Sequence, residues 1–393
     1  MTLKKMIFFM PDGQYGATQH FTNQLCKAMV NNGVQCEIFD FEEQDVFSVM
    51  EIVKKEKPDC TCTFNPILPL HDGRLFCDHL KTPHVNLLVD ASLETLYLLQ
   101  SPYSIITCVE MFFSEFLKSG GFENAFFFPH GVEADFQRGE ESEKKYDVTM
   151  LGTCIDYEEI NSKWEEAYSP QVIEVIRTTV DKVFSDDRSP YFLTLLKELE
   201  SAKITPDEVE VTQLCREVER YIKGKGRADM IKSIKDAPVH VFGRTIGARG
   251  WEYYLEGQKN VTIHDSVPFE KTMEIMRESK VLLSSVPFFK YGSHERLFYG
   301  LAAGAAVVTD DTLFNSSQFQ EAEGVLIYQH WDSDKINGTV NEFVGNDERR
   351  RHFVEQGREK VMREYTWDCR AKQLIEELPV IIDRIKAVTQ AVS

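Results

Sequence analysis

The sequence predicts an α/β protein built from two doubly wound, Rossmann-like domains, with a helical insertion in the second and a helix at the C-terminus. Three observations predict it. Short apolar runs bounded by Gly, Pro or Asp alternate with amphipathic stretches in both halves, the pattern of parallel sheets joined by crossover helices. The alternation stops near Tyr157, resumes near His240, and gives way after Tyr328 to a chain that is almost all helical in pattern.

The first apolar run, Met6–Met10, ends in Pro11-Asp12-Gly13-Gln14-Tyr15-Gly16 ahead of a helix over about Ala17–Val30. These glycines fit neither G-x-G-x-x-G nor the P-loop, so no dinucleotide or ATP fingerprint is present. Strands follow at Gln35–Phe39, Cys60–Phe64, His84–Val89, Ser104–Val109 and Ala125–Phe128, with helices at Asp45–Lys54 and Glu110–Lys118. Pro129-His130-Gly131-Val132 closes this series, which sets a first domain at 1–133, and the polar run Arg138–Lys145 reads as a linker.

A second series opens with Asp147–Leu151 and Gly152 and sets a domain at 146–366. It is interrupted over about 157–235 by three or four amphipathic helices, separated at Ser185-Asp186-Asp187 and Thr205-Pro206-Asp207. Strands resume at His240–Phe242, Val261–His264, Lys280–Ser284, Ala305–Thr309 and Gly324–Tyr328, with helices at Phe269–Glu278 and Glu295–Ala303. A C-terminal helix at 367–393 is expected to pack back on the first domain.

Composition narrows the function classes. A chain of 393 residues, 42% of them hydrophobic, is long enough for two cores. Its net charge of −19, without a block of Lys or Arg, argues against nucleic acid or an anionic membrane as partner. Nine scattered cysteines, an odd number set mostly in apolar runs, read as reduced thiols. Cys60 and Cys62 share one strand face, but no second pair completes a zinc site. The run before Pro11 is too short for a signal peptide and no stretch has transmembrane length, so a cytoplasmic protein is expected. The sequons at Asn260, Asn315 and Asn337 then carry no glycosylation message.

The stretch Tyr291–Asp311 concentrates the chemistry. Gly292 and Ser293 form a turn and candidate N-cap, Leu297, Phe298 and Leu301 share one helical face, and Gly304 ends the helix. A helix N-terminus beside Lys290 and Arg296 suits a phosphate. Glu295 is repelled by such an anion unless it turns toward hydroxyls. Ordinary helix-start chemistry is the plain alternative.

Three stretches resemble the nucleotide-binding domain of GT-B glycosyltransferases, in particular the CgeB-like, spore-maturation-type group of family-1-like transferases. They are Gly292-Ser293-His294-Glu295-Arg296-Leu297-Phe298 through Asp310, Val261-Thr262-Ile263-His264-Asp265-Ser266-Val267-Pro268-Phe269, and Tyr365-Thr366-Trp367-Asp368-Cys369-Arg370-Ala371. Weaker echoes lie in Tyr146–Gly152 and Pro129–Val132. The position where many of these enzymes carry a ribose-binding Glu is Tyr299, and Glu295, one turn earlier, is the expected substitute.

The resemblance implies two domains facing a cleft and transfer of a sugar from a nucleotide-diphosphate donor, a UDP-sugar being expected, to an acceptor on a protein or glycan. It implies donor binding by Gly243, Arg244, Lys290, Tyr291, Gly292, Ser293, Glu295 and Arg296, with no metal or other cofactor required. A general base is expected at a strand end of the first domain. Asp90 and His20 are favoured over Asp12 and His130. Asp332-Ser333-Asp334 is read as helix-cap chemistry rather than a metal site. Two other functions are open at this point: a sugar-nucleotide epimerase or hydrolase, and a catalytically degenerate nucleotide-binding scaffold.

Overall fold

Six parallel strands form the first sheet: β1 (Lys5–Met10), β2 (Gln35–Asp40), β3 (Cys60–Phe64), β4 (His84–Leu88), β5 (Ser104–Cys108) and β6 (Ala125–Phe127), in the order β2-β1-β3-β4-β5-β6. β3, β4 and β5 are buried at every residue, which is why they read as continuous runs, whereas β2, at the sheet edge, has no fully buried residue. Helices α1 (Ala17–Asn31), α2 (Val46–Glu56), α3 (Phe76–Leu80) and α4 (Met111–Ser119) cover the faces. Asp45 caps α2 by accepting from the Phe47 and Ser48 amides, at 3.0 and 3.0 Å.

The computed structural model describes residues 2–40, 45–140, 143–185, 188–205, 207–319 and 323–392. Asp186, Asp187 and Pro206, expected as helix breaks, and Glu141 and Ser142 of the expected linker lie outside the described residues. The chain divides into two units, Met1–Asp135 with Met362–Ser393, and Phe136–Val361.

In the second unit eight strands are described: β7 (Tyr146–Leu151), β8 (Cys154–Ile155), β9 (Val239–Phe242), β10 (Thr245–Ile246), β11 (Val261–His264), β12 (Ser279–Ser284), β13 (Ala306–Asp310) and β14 (Val325–Tyr328). β8 pairs β10, and the other six form a parallel sheet in the order β11-β9-β7-β12-β13-β14. The insertion is four helices, α5 (Tyr157–Ala167), α6 (Pro170–Ser185), α7 (Tyr191–Ser201) and α8 (Val211–Lys232). Then come α9 (Trp251–Tyr254), α10 (Phe269–Arg277), α11 (Glu295–Ala302), α12 (Leu313–Gln318), α13 (Asp334–Gly345), α14 (Asp347–Glu364) and α15 (Trp367–Val392). One sheet face packs Val148, Met150, Val241 and Leu283 against Met230, Ile231 and Ile234 at the end of α8. α11 covers the other, where Gly300 lies close enough that a Cβ would meet Leu282 and Val307 at 2.8 Å each.

Two expectations differ from the structure. The run Arg138–Lys145 is no free linker: the Gly139 amide donates to the Ala303 carbonyl (3.1 Å), and the Lys144 ammonium donates to the carbonyls of Ser279 (2.9 Å) and Gly304 (3.1 Å). Lys144 satisfies carbonyls at element ends, and Arg138 and Lys145 pair with Glu355 and Glu278, so polarity alone misread these residues. The last residues before α15 belong to the first unit: the Val132 amide donates to the Tyr365 carbonyl (2.9 Å), the Trp367 amide to the Val132 carbonyl (2.8 Å), and the Trp367 ring lies 5.5 Å from that of Phe21 on α1.

Candidate active site

In the second unit β7 comes first in sequence, β9 and β11 build outward on one side of it, and β12, β13 and β14 on the other. The strand order reverses between β7 and β12. In open parallel sheets, ligands bind in the crevice at the carboxyl ends of the strands at such a point. Here those ends are Leu151-Gly152 and Ser284-Ser285.

Arg296, in the first turn of α11, reaches this crevice. Its Nη1 donates to the Leu151 carbonyl at 2.7 Å, and its Nε is buried with no hydrogen-bond partner. The hydroxyls of Ser284, Ser285 and Ser293 are likewise buried and unpartnered. An orphaned buried polar atom costs about 1–3 kcal/mol. Two such atoms at the end of β12 and two at the start of α11 mark a place prepared for a polar ligand.

The loop between β12 and α11 is held from the next loop. The Val286 amide donates to Asp310 Oδ2 (2.5 Å), the Leu313 amide to the Lys290 carbonyl (2.8 Å), and Thr312 Oγ1 to the Gly292 carbonyl (2.8 Å). Asp310 is in turn 2.7 Å from His330 Nε2. Asp310 and His330 escaped sequence reasoning. The signal was an Asp at the end of one strand and a His just after the next.

Several expected residues are placed otherwise. Ser293 is not the N-cap: that position is His294, whose side chain makes no capping bond. This leaves the Ser293 hydroxyl buried and free of the helix. Lys290 is buried, and its ammonium donates to the Val183 carbonyl (2.9 Å) at the end of α6, so one of its three donors holds the insertion. Tyr291 Oη donates to the Arg188 carbonyl (3.2 Å). The Glu295 carboxylate lies against the His294 imidazole. Ser333 occupies the N-cap position of α13 without a side-chain bond, and Asp334 pairs with Lys235 (2.5 Å).

Gly243 and Arg244 sit beside the same crevice. The Gly152 amide donates to the Phe242 carbonyl (2.9 Å), and a Cβ on Gly243 would lie 1.9 Å from the Gly152 carbonyl oxygen. Only glycine lets the two strand ends approach so closely. Arg244 is exposed, and its carbonyl accepts from the Cys154 amide (2.8 Å). The following Gly247–Gly250 loop is tied by Asp156, which accepts from the Arg249 amide (2.8 Å) and Tyr254 Oη (2.5 Å). Desolvation opposes ionisation of this buried carboxyl, yet these donors hold its pKa below the usual range.

In the first unit the order reverses between β1 and β3. His20, in the first turn of α1, has its Nε2 2.5 Å from Glu133 Oε1, both side chains largely buried. Asp90 follows β4 and is half-buried; it does not cap the next helix, which starts on Ser92. His130 is buried, its ring 5.3 Å from that of Phe21, and Asp12 is exposed. His20 with Glu133 is thus an imidazole oriented by a carboxylate, the arrangement of a general base.

Residues 225–376 match the family model described as glycosyl transferase-like. Solved structures similar across nearly the whole chain share the two-sheet architecture. Anabaena HepE in complex with UDP and glucose superposes with a TM-score of 0.55 at 9% identity, over 96% of this chain and 100% of its own. Sucrose-phosphate synthase from Thermosynechococcus elongatus gives 0.56 at 10% identity over 99% and 100%. T4 phage BGT in complex with its UDP-glucose substrate gives 0.55 at 13% identity over 97% and 100%. The fold is GT-B, the fold of these glycosyltransferase structures. No curated protein matches it in sequence.

Within the matched residues 225–376 the Tyr299 position is closed to a ligand. Tyr299 is fully buried, its ring 5.4 Å from Phe136 and 5.6 Å from Phe269. Among the described residues no helix is long and apolar enough to cross a membrane, and no group of three His, Cys, Asp or Glu is placed to hold a metal ion.

Proposed function

We propose that this protein transfers a sugar from a UDP-sugar to an acceptor hydroxyl on a protein or glycan, without a metal, as a CgeB-like member of the GT-B transferases. The single observation that carries the reading is Arg296. Its guanidinium lies at the reversal point, fixed by the Leu151 carbonyl, with Nε unpartnered and the Ser293 hydroxyl free one turn earlier. As the bond from sugar to diphosphate breaks, negative charge grows on the leaving phosphate. A preorganised guanidinium, the Ser293 hydroxyl and the N–H groups opening α11 stabilise that charge without reorganising.

Arg244 and the Gly243 backbone flank the nucleotide, Tyr291 and Gly292 shape the phosphate turn, and Glu295 takes the ribose hydroxyls in place of the buried Tyr299. Lys290 contributes its charge from behind the loop. On the acceptor side His20, held by Glu133, removes the hydroxyl proton, with Asp90 the second candidate base. A net charge of −19 favours an acceptor other than nucleic acid. All nine cysteines are free thiols, in keeping with a cytoplasmic protein.

The test is calorimetric titration of UDP and UDP-glucose into the full chain, with and without EDTA, followed by product analysis with and without acceptor extracts. Saturable UDP binding that EDTA leaves unchanged, and sugar transfer only when acceptor is present, are expected. Absence of UDP and GDP binding sinks the reading. Free sugar or an epimer formed without acceptor reassigns it to a hydrolase or epimerase.

A further inference from the structure

We infer that the helical insertion is a positioning clamp for the donor site, with Arg227 and Lys290 as its positioning residues. The effect on donor binding rests on the nucleotide-sugar reading above, whereas the clamping itself stands on contacts within the second unit.

The interior of α8 reads Lys223-Gly224-Lys225-Gly226-Arg227. Each helical glycine costs about 1 kcal/mol relative to alanine, and nothing local to α8 calls for two. Their reason lies outside the helix. A Cβ on Gly224 would lie 2.7 Å from the Ile155 carbonyl oxygen, and one on Gly226 would lie 2.5 Å from Pro287 Cγ. Ile155 belongs to the segment after β7, and Pro287 to the loop after β12. A single turn of α8 therefore touches both segments that frame the reversal point.

The basic residues on this turn complete the hold. Arg227 Nη1 donates to the Thr153 carbonyl (2.8 Å), and the Lys223 ammonium lies 4.1 Å over the Phe288 ring. A second attachment runs the other way. Lys290 donates to the Val183 carbonyl in the last turn of α6, where unsatisfied carbonyls favour a cation. The two loops are thus held from a common scaffold that contributes no strand to the sheet. Site groups must stay within about 0.5 Å of their working geometry, and a displacement of about 1 Å costs about 100-fold in rate.

Full-length Arg227→Ala, Arg227→Lys and Lys290→Met proteins test this by hydrogen exchange of the amides at 151–156 and 285–293, with UDP affinity measured by calorimetry. The clamp predicts faster exchange in both segments for Arg227→Ala and Lys290→Met. It also predicts about tenfold weaker UDP binding, largely restored in Arg227→Lys. Unchanged exchange in Arg227→Ala overturns it, as does faster exchange with unaltered UDP affinity. Should Lys290→Met or Arg227→Ala not fold, Arg227→Gln takes their place: faster exchange at 151–156 with weaker UDP binding is expected, and wild-type exchange overturns the clamp. A wild-type protein that does not bind UDP overturns the nucleotide-sugar reading instead, and the exchange comparison still settles whether the insertion holds the loops.

Discussion

Arg296 and Leu151 are 145 residues apart, and the guanidinium of one donates to the carbonyl of the other at 2.7 Å. That bond ties the start of α11 to the end of β7, while Nη2 lies 3.4 Å from His294 Nε2 and Nε is left without a partner. Arg296→Ala removes both the tie and the phosphate partner, so UDP affinity is expected to fall about 100-fold. Arg296→Lys keeps the charge but not the fork that spans carbonyl and ligand, and an intermediate loss is expected. Calorimetry on the three proteins checks the order.

His20 and Glu133 make the second prediction. If the imidazole is the base, His20→Ala lowers kcat by about 10²–10⁴-fold and leaves the donor KM nearly unchanged, because the donor groups lie in the other unit. Glu133→Gln keeps a hydrogen bond to the ring and is expected to cost less. Steady-state rates at saturating UDP-sugar separate the two. Equal losses in kcat and in thermal stability would assign the pair to structure alone.

Gly226 and Gly338 give a sign test on one substitution. Both sit inside helices, where alanine is favoured by about 1 kcal/mol. A Cβ on Gly338 meets nothing within 4 Å, so Gly338→Ala is expected to stabilise by up to about 1 kcal/mol. Gly226→Ala forces its methyl against Pro287 at 2.5 Å, and overpacking of this kind costs about 1–3 kcal/mol. Urea unfolding should move the two midpoints in opposite directions.

His84 sets a pH dependence. Its ring is buried in β4, with Nδ1 2.7 Å from Thr61 Oγ1, and burial pushes its pKa down to about 3. The unfolded chain binds this proton near pH 6.5, so between those values the unfolded state holds more protons. Stability is therefore full above about pH 6.5 and is lost as pH falls toward 3, by up to about 1.4 kcal/mol per unit. Denaturant unfolding at pH 7.0 and 5.0 measures it, and His84→Asn should flatten the slope between those points.

The strands were legible because each is a local statement. A parallel strand buried on both faces has to be an apolar run, so Ser104–Cys108 and Ala306–Asp310 announce themselves within a few residues. The glycine and proline punctuation around them marks where helices begin, and a cation beside a helix start at Lys290 and Arg296 is local as well. The fold class and the region of the candidate site were therefore written in short windows.

What those cations touch was not. Lys290 and Arg296 look alike in sequence, yet one reaches a carbonyl at the end of α6 and the other a carbonyl at the end of β7. His20 and Glu133 are 113 residues apart, and nothing near either names the other. The pair Gly224 and Gly226 reads as a flaw in a helix until Ile155 and Pro287 arrive against it. Local pattern determines which atoms must be buried, because water is excluded from every core in the same way. Which buried polar atoms meet depends on how sheets and helices pack over long separations, and only the tertiary structure decides that.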